Sequence, residues 1–142
     1  MSDDLSERHA IAEVILRYAL SVDQKDLARY ATCFTDDVEV TGFSGGAITG
    51  VTTYVEWVGT ALSRYSHTQH MLGNHEITID GDTAHIRTYV QAMHVLAGES
   101  ETMVGLWGIY DDQMVRTADG WKISKHHLER LISPRRIHAP LA

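Results

Sequence analysis

The stretch Thr83-Ala84-His85-Ile86-Arg87-Thr88-Tyr89-Val90-Gln91-Ala92-Met93-His94-Val95-Leu96 decides the fold. Ala84, Ile86, Val90, Ala92 and Leu96 share one parity, and His85, Arg87 and Gln91 share the other. Alternation over so long a run predicts a strand with one face on a core and one nearer solvent. Asp80-Gly81-Asp82 before it and Ala97-Gly98-Glu99-Ser100 after it read as turns. The strand therefore belongs to an antiparallel meander. A strand over about Thr68–Ile79 precedes it, Thr102 to about Arg116 follows, Ala118-Asp119-Gly120 turns, and Trp121 to about Ile132 returns. Strands of this length must twist, and they usually carry bulges.

Working back toward the N-terminus, the period changes. Ile11, Val14, Ile15, Tyr18, Ala19 and Val22 recur at helical spacing, so a helix is expected over about Ser6–Val22 with Ser6 as its cap. Leu27, Tyr30, Ala31 and Phe34 predict a second, shorter helix from about Asp26 to Phe34, with Asp26 as N-cap. Val38 to Phe43 alternates and reads as a strand, Ser44-Gly45-Gly46 as a turn, and Ala47–Gly50 as a short return strand. Thr53-Tyr54-Val55-Glu56 has capping-box spacing and opens a third helix, whose buried stripe is Tyr54, Trp57, Val58, Ala61, Leu62 and Tyr65. Helices first and long strands afterwards predict an α+β fold. A curved antiparallel sheet would wrap over three N-terminal helices as a cone enclosing a pocket.

The 142 residues suit one domain with one core, spanning 1–142. Net charge is −7, the opposite of what a nucleic-acid partner requires. The short cluster Arg130, Arg135 and Arg136 reads as a solvated tail. The single cysteine, Cys33, has no partner for an internal disulfide, which suits a reducing, cytoplasmic compartment. The acidic start Met1-Ser2-Asp3-Asp4 is unlike a signal peptide, and no apolar run approaches the ~20 residues of a membrane span.

Histidines carry the chemical interest. His70 shares parity with Leu72 and Asn74, whereas His67 and His75 have the opposite parity, so rings of this segment point to different faces. His126-His127 is split in the same way. That geometry argues against a metal site, and the sequence has no HxH, HExxH or Cys/His cluster. No GxSxG, P-loop or GxGxxG is present either. His94 lies on the inward parity, either as a hydrogen-bonded core histidine or as a site residue. Asp23 ends the first helix, where the helix dipole disfavours a carboxylate unless a partner holds it there. Tyr18, Tyr54 and Trp57 read as core with a chance of touching a ligand. Asn74 could donate to a substrate oxygen or make a strand-to-strand contact.

Tyr18-Ala19-Leu20-Ser21-Val22-Asp23-Gln24-Lys25-Asp26-Leu27 followed by Phe34-Thr35-Asp36-Asp37-Val38 resembles the opening of SnoaL-like proteins, in the nuclear transport factor 2 and ketosteroid isomerase superfamily. Thr68-Gln69-His70-Met71-Leu72-Gly73-Asn74, Asp80-Gly81-Asp82-Thr83-Ala84 and Gly120-Trp121-Lys122-Ile123 carry the resemblance through the rest of the chain. Asp23, His70 and His94 stand where scytalone dehydratase has its catalytic aspartate and two histidines. Val22 and Gly42 occupy the places of the two tyrosines with which that enzyme holds its substrate. Val22-Asp23 and His70 with Gly73 and Asn74 are also similar to the dyad of the hexachlorocyclohexane dehydrochlorinases.

What the resemblance implies is a lyase or isomerase that needs no cofactor and no metal, acting on a small hydrophobic cyclic substrate. His70 would be the base, Asp23 its orienting carboxylate, and His94 would polarise a carbonyl or protonate the leaving group. Tyr18, Tyr54, Trp57 and Asn74 are the substrate-binding candidates. The alternatives are a non-catalytic binding or assembly domain of the same fold, a dehydrochlorinase-like elimination, or a subunit like the small one of ring-hydroxylating dioxygenases. An outer sheet face bearing Met93, Val95, Met103, Trp107 and Ile109 predicts a homodimer or homotrimer.

Overall fold

The computed structural model describes residues 4–43, 45–99 and 102–137. Met1, Ser2 and Asp3 and the expected turn residues Ser44 and Ser100 lie outside them. Three helices, α1 (Asp4–Asp23), α2 (Leu27–Ala31) and α3 (Val51–Leu62), precede or interrupt a run of strands: β1 (Phe34–Thr41), β2 (Ile48–Thr49), β3 (Tyr65–Asp80), β4 (Thr83–Leu96), β5 (Thr102–Thr117), β6 (Gly120–Ile132) and β7 (Arg135–Ile137). The sheet runs β2-β1-β6-β5-β4-β3, and β7 also pairs with β5. No described helix is long and apolar enough to cross a membrane.

The α+β class and the long meander are as expected, and β4 has the expected bounds. The sheet is mixed rather than purely antiparallel, because β1 pairs with β6 in parallel, Thr41 opposite His127. A β1 that leaves α2 and a β6 that returns from the meander enter the sheet from the same end, so neighbouring strands run the same way. Phe34 belongs to β1 and not to α2, where it packs edge-on against Tyr30 and Tyr54. Asp26 does cap α2, accepting from the Arg29 N–H at 3.0 Å.

Two expected caps are not formed. Helix α1 already runs at Asp4, so Ser6 lies within it. Helix α3 starts at Val51 after Gly50, whose φ of 91° makes the entry, and no side chain caps it. Nor are Arg135 and Arg136 a free tail: β7 aligns with Thr102–Val104 of β5, beyond the point where β6 has ended.

The inward face of α1 presents Ile11, Val14, Ile15, Tyr18 and Val22 to Ile77, Ile86, Val90, Ile123 and Leu128 of the sheet. Each such aliphatic side chain contributes about 1.5–3 kcal/mol by leaving water. On the opposite face of the sheet, Met93, Val95, Met103, Trp107 and Ile109 are half-buried, and Met71, Tyr89 and Ile132 beside them are exposed.

The face assignment fails at one histidine. The β3–β4 register shifts between Gly73 and His75, around Asn74 with φ 49°. That bulge flips parity, so His75 falls on the face of Ile77 and lines a surface groove with Ala12 and Leu16 of α1. His67 does face outward and is exposed.

Candidate active site

Asp23 closes α1 at the point where the chain turns through Lys25, which has φ 57°. The Lys25 ammonium donates to the Tyr65 carbonyl at 2.8 Å, fastening that turn to the start of β3. Thr68 and His70, two residues apart on β3, then point to the same side. Thr68 Oγ1 donates to Asp23 Oδ1 at 2.9 Å, and the His70 backbone N–H donates to Oδ2 at 2.8 Å. His70 Nδ1 lies 2.7 Å from Oδ1. A carboxylate only accepts, so Nδ1 carries a proton, and in the neutral tautomer the lone pair is on Nε2. The two side chains are 8% and 19% exposed for His70 and Asp23. Burial works to raise the Asp23 carboxyl, but the bonds from His70 and Thr68 outweigh it and hold it below the usual carboxylate range.

His94 stands on the next strand, its ring edge-on to His70 with centroids 5.4 Å apart, and against Tyr65 at 4.9 Å. Its Nδ1–H donates to the Val104 carbonyl at 3.2 Å. Burial, then the neighbouring His70 and Arg130, push the ring down from 6.5 to about 4. His94 is therefore neutral near pH 7 and offers a bare Nε2, an acceptor. With its Nδ1 proton bonded to Val104, the neutral ring turns an acceptor toward the cavity.

That depression is also a stability statement. As pH falls from 6.5 to 4, the unfolded chain takes the proton first, so stability present above 6.5 is lost through this window. Allowing for solvent screening, the loss is roughly 2 kcal/mol. Urea unfolding of wild type and His94→Gln across this range is expected to show the extra slope in wild type only. Parallel curves would remove the assignment.

His70 and His94 line a cavity of about 190 Å³ between the helices and the concave sheet. Its apolar walls include Val22, Phe43, Val58, Leu62, Leu106 and Leu128; Tyr18, Tyr30, Tyr54, Trp57 and Tyr110 also line it, with Arg64 and Arg130. An apolar cavity of about 150 Å³ accepts benzene, so the space suits one six-membered ring with small substituents. Tyr18, Tyr54 and Trp57 thus reach the cavity. Asn74 does not: it sits exposed at the β3 bulge, away from the lining residues.

Sequence reading passed over Tyr30, Tyr110, Asp112 and His126. His126 Nδ1 is bonded to Asp112 Oδ1, and its Nε2 lies 3.1 Å from the Tyr18 hydroxyl. A signal existed. Asp112 alternates with Tyr110 and Met114, and His126 with Leu128, both on inward parity.

Three helices held in the concave face of a curved mixed sheet, with a ring-sized cavity between, define the nuclear transport factor 2-like class. Residues 3–127 match the family of SnoaL-like domains, and the chain belongs to that family. The uncharacterized protein Rv2910c of Mycobacterium tuberculosis is 33% identical over 123 residues, 84% of this chain and 82% of that one. Among solved structures, a candidate scytalone dehydratase from Novosphingobium aromaticivorans has a TM-score of 0.86 at 24% identity, covering 97% of this chain and 95% of that one. A type 2 hexachlorocyclohexane dehydrochlorinase, LinA, has a TM-score of 0.85 at 23% identity, covering 96% and 95%. These structural likenesses show a shared fold.

Proposed function

We propose that the chain is a cofactor-independent lyase or isomerase for a small, largely apolar cyclic substrate, with His70 as the base. The observation that carries the reading is the triple hold on Asp23, by Thr68 Oγ1, the His70 N–H and His70 Nδ1, at the wall of the cavity. It fixes the ring, its tautomer and the lone pair on Nε2 before any ligand arrives. When Nε2 takes a proton from a substrate carbon, the adjacent Asp23 carboxylate stabilises the imidazolium that forms. Neutral His94 can accept a hydrogen bond from a substrate hydroxyl and keep the reacting carbon near His70. The cavity's size fits one ring, and the two structural relatives named above carry names of elimination enzymes. Loss of water and loss of hydrogen chloride share the proton abstraction assigned to His70, so both leaving groups stay within the reading.

The test is a panel of cyclic β-hydroxy ketones, cyclic enones and chlorinated cyclohexanes incubated with the protein in D₂O. At least one member is expected to lose water or chloride, or to take up deuterium beside its carbonyl, by NMR. His70→Ala should leave it untouched. A panel whose members bind but neither exchange nor eliminate would assign the chain to binding alone.

A further inference from the structure

The cavity beside His70 is unevenly charged. Of the residues that line it, Arg64, Arg130 and Ser133 are the exposed ones, so they mark its mouth. No aspartate or glutamate lines it, although the chain carries 19 acidic residues against 12 lysines and arginines. Arg64 stands between α3 and β3. Its Nε donates to the Ala61 carbonyl at 3.4 Å, and its guanidinium lies over the Tyr65 ring, 5.6 Å from the centroid. Arg130 is on β6, and its Nη1 donates to Ser133 Oγ at 3.2 Å. Ser133 Oγ donates in turn to the Gly105 carbonyl at 2.7 Å, and the Gly105 N–H donates to the Pro134 carbonyl at 2.7 Å. The segment that orients Arg130 is thus pinned to β5 beside the cavity. Each guanidinium presents a fork of N–H donors, and most of these meet no acceptor among the described residues. Neither arginine faces a carboxylate there, whereas Arg8, Arg87, Arg116 and Arg135 each do.

We propose that Arg64 and Arg130 select a ring that bears a carboxylate, with the acid group held at the mouth and the ring inside. The two oxygens of a carboxylate match the guanidinium fork, and its charge meets two cations that lack a protein counter-ion. The acid adds few atoms to a ring, as a cavity of about 190 Å³ requires. A phosphate ester fits the mouth less well. Phosphate sites are built on helix N-termini and free backbone N–H groups, and the helix end at this mouth is the C-terminus of α3, at Leu62. With the acid held by the arginines, the ring carbons come beside His70 and His94, which line the same cavity. Arg130 also acts on that pair electrostatically: after burial and His70, its charge adds to what keeps His94 neutral. On a chain of net charge −7, a positive mouth draws an anion to this entrance against the field of the whole molecule. Binding of the acid rests on the cavity being the site of a cyclic substrate; it is independent of His70 acting as base.

The probes are benzoate and benzamide, one ring with and without the charge at nearly the same shape, titrated calorimetrically into the whole chain. Benzoate is expected to bind about tenfold or more tightly than benzamide, the usual effect of charge-assisted hydrogen bonds to a carboxylate. Arg64→Gln and Arg130→Gln should each take away much of that advantage and leave benzamide unchanged, which also shows the cavity intact. Arg29→Gln, at an exposed arginine outside the cavity lining, should alter neither probe. The ring resonances of His70 and His94 should move as benzoate is added, placing it in the cavity. Benzoate that binds no better than benzamide, or an affinity indifferent to both arginines, would overturn the proposal. So would an equal loss in Arg29→Gln, histidine rings that benzoate does not move, or tighter binding of phenyl phosphate than of benzoate. Failure here is distinguishable from failure of the His70 reading. Equal affinity for the two probes, with turnover still lost in His70→Ala, removes only the arginines' role. Arginine-dependent benzoate affinity with full turnover in His70→Ala removes only the base.

Discussion

Replacing Asp23 by asparagine is expected to lower kcat on any substrate the protein turns over by about 10²–10⁴-fold. The reason is a count of donors. Asp23 accepts from Thr68 Oγ1, from His70 Nδ1 and from the His70 backbone N–H. Asparagine offers one oxygen and one NH₂, so in either orientation the NH₂ faces at least one of these donors. The imidazole can escape the conflict only by moving its proton to Nε2, which removes the lone pair that attacks. His70→Ala should fall to a similar level, and the double variant to no lower, because the two groups act as one unit. Steady-state kinetics of the three variants, with circular dichroism to show that each is folded, tests this. Losses that multiply would mean that Asp23 and His70 work separately.

A glycine beside the cavity carries the second large effect. Gly42 follows β1 with φ 86°, and a Cβ built there would lie 2.1 Å from the Leu128 carbonyl oxygen of β6. Gly42→Ala is therefore expected to destabilise the protein by about 3 kcal/mol or more, combining a backbone conformation unsuited to side chains with a clash against backbone. The close approach is what lets the next residue, Phe43, turn its ring over Tyr54, Trp57 and His126. A thermal melt within a degree or two of wild type would refute the claim. The same geometry bears on the resemblance to scytalone dehydratase, which implied that Gly42 takes the place of a substrate-holding tyrosine. A tyrosine at this position would meet Leu128 before reaching any ligand. In this chain, the tyrosines at the cavity come from α1, α2, α3, β3 and β5, as Tyr18, Tyr30, Tyr54, Tyr65 and Tyr110.

The alternation of Ala84, Ile86, Val90 and Ala92 and the helical stripe from Ile11 to Val22 were readable because each pattern repeats many times against one core face. Asp23 and His70 were readable as a pair only through the motif resemblance, since forty-seven positions separate them. Boundaries were less legible. Phe34 continues the helical spacing of α2, yet its ring is better buried among Tyr18, Tyr30 and Tyr54 from the first position of β1. His75 was misplaced because parity counting assumes an unbroken pleat, and the bulge at Gly73–His75 inserts one residue.

Local periodicity and the turn signals between the elements were enough to determine the element order, the α+β class and the inward side of the long strands. Contacts between distant segments decided the rest. The parallel pairing of β1 with β6 depends on where two strands meet after about ninety intervening residues have folded. His94 became an acceptor because Val104, on the neighbouring strand, takes its single proton. Asp112, His126 and Tyr18 became one array because β5, β6 and α1 converge on the same buried point, where an unpaired charge would be intolerable. Periodicity says which way a side chain points; the partner it finds there, and so the proton it holds, is fixed only when the sheet closes over the helices.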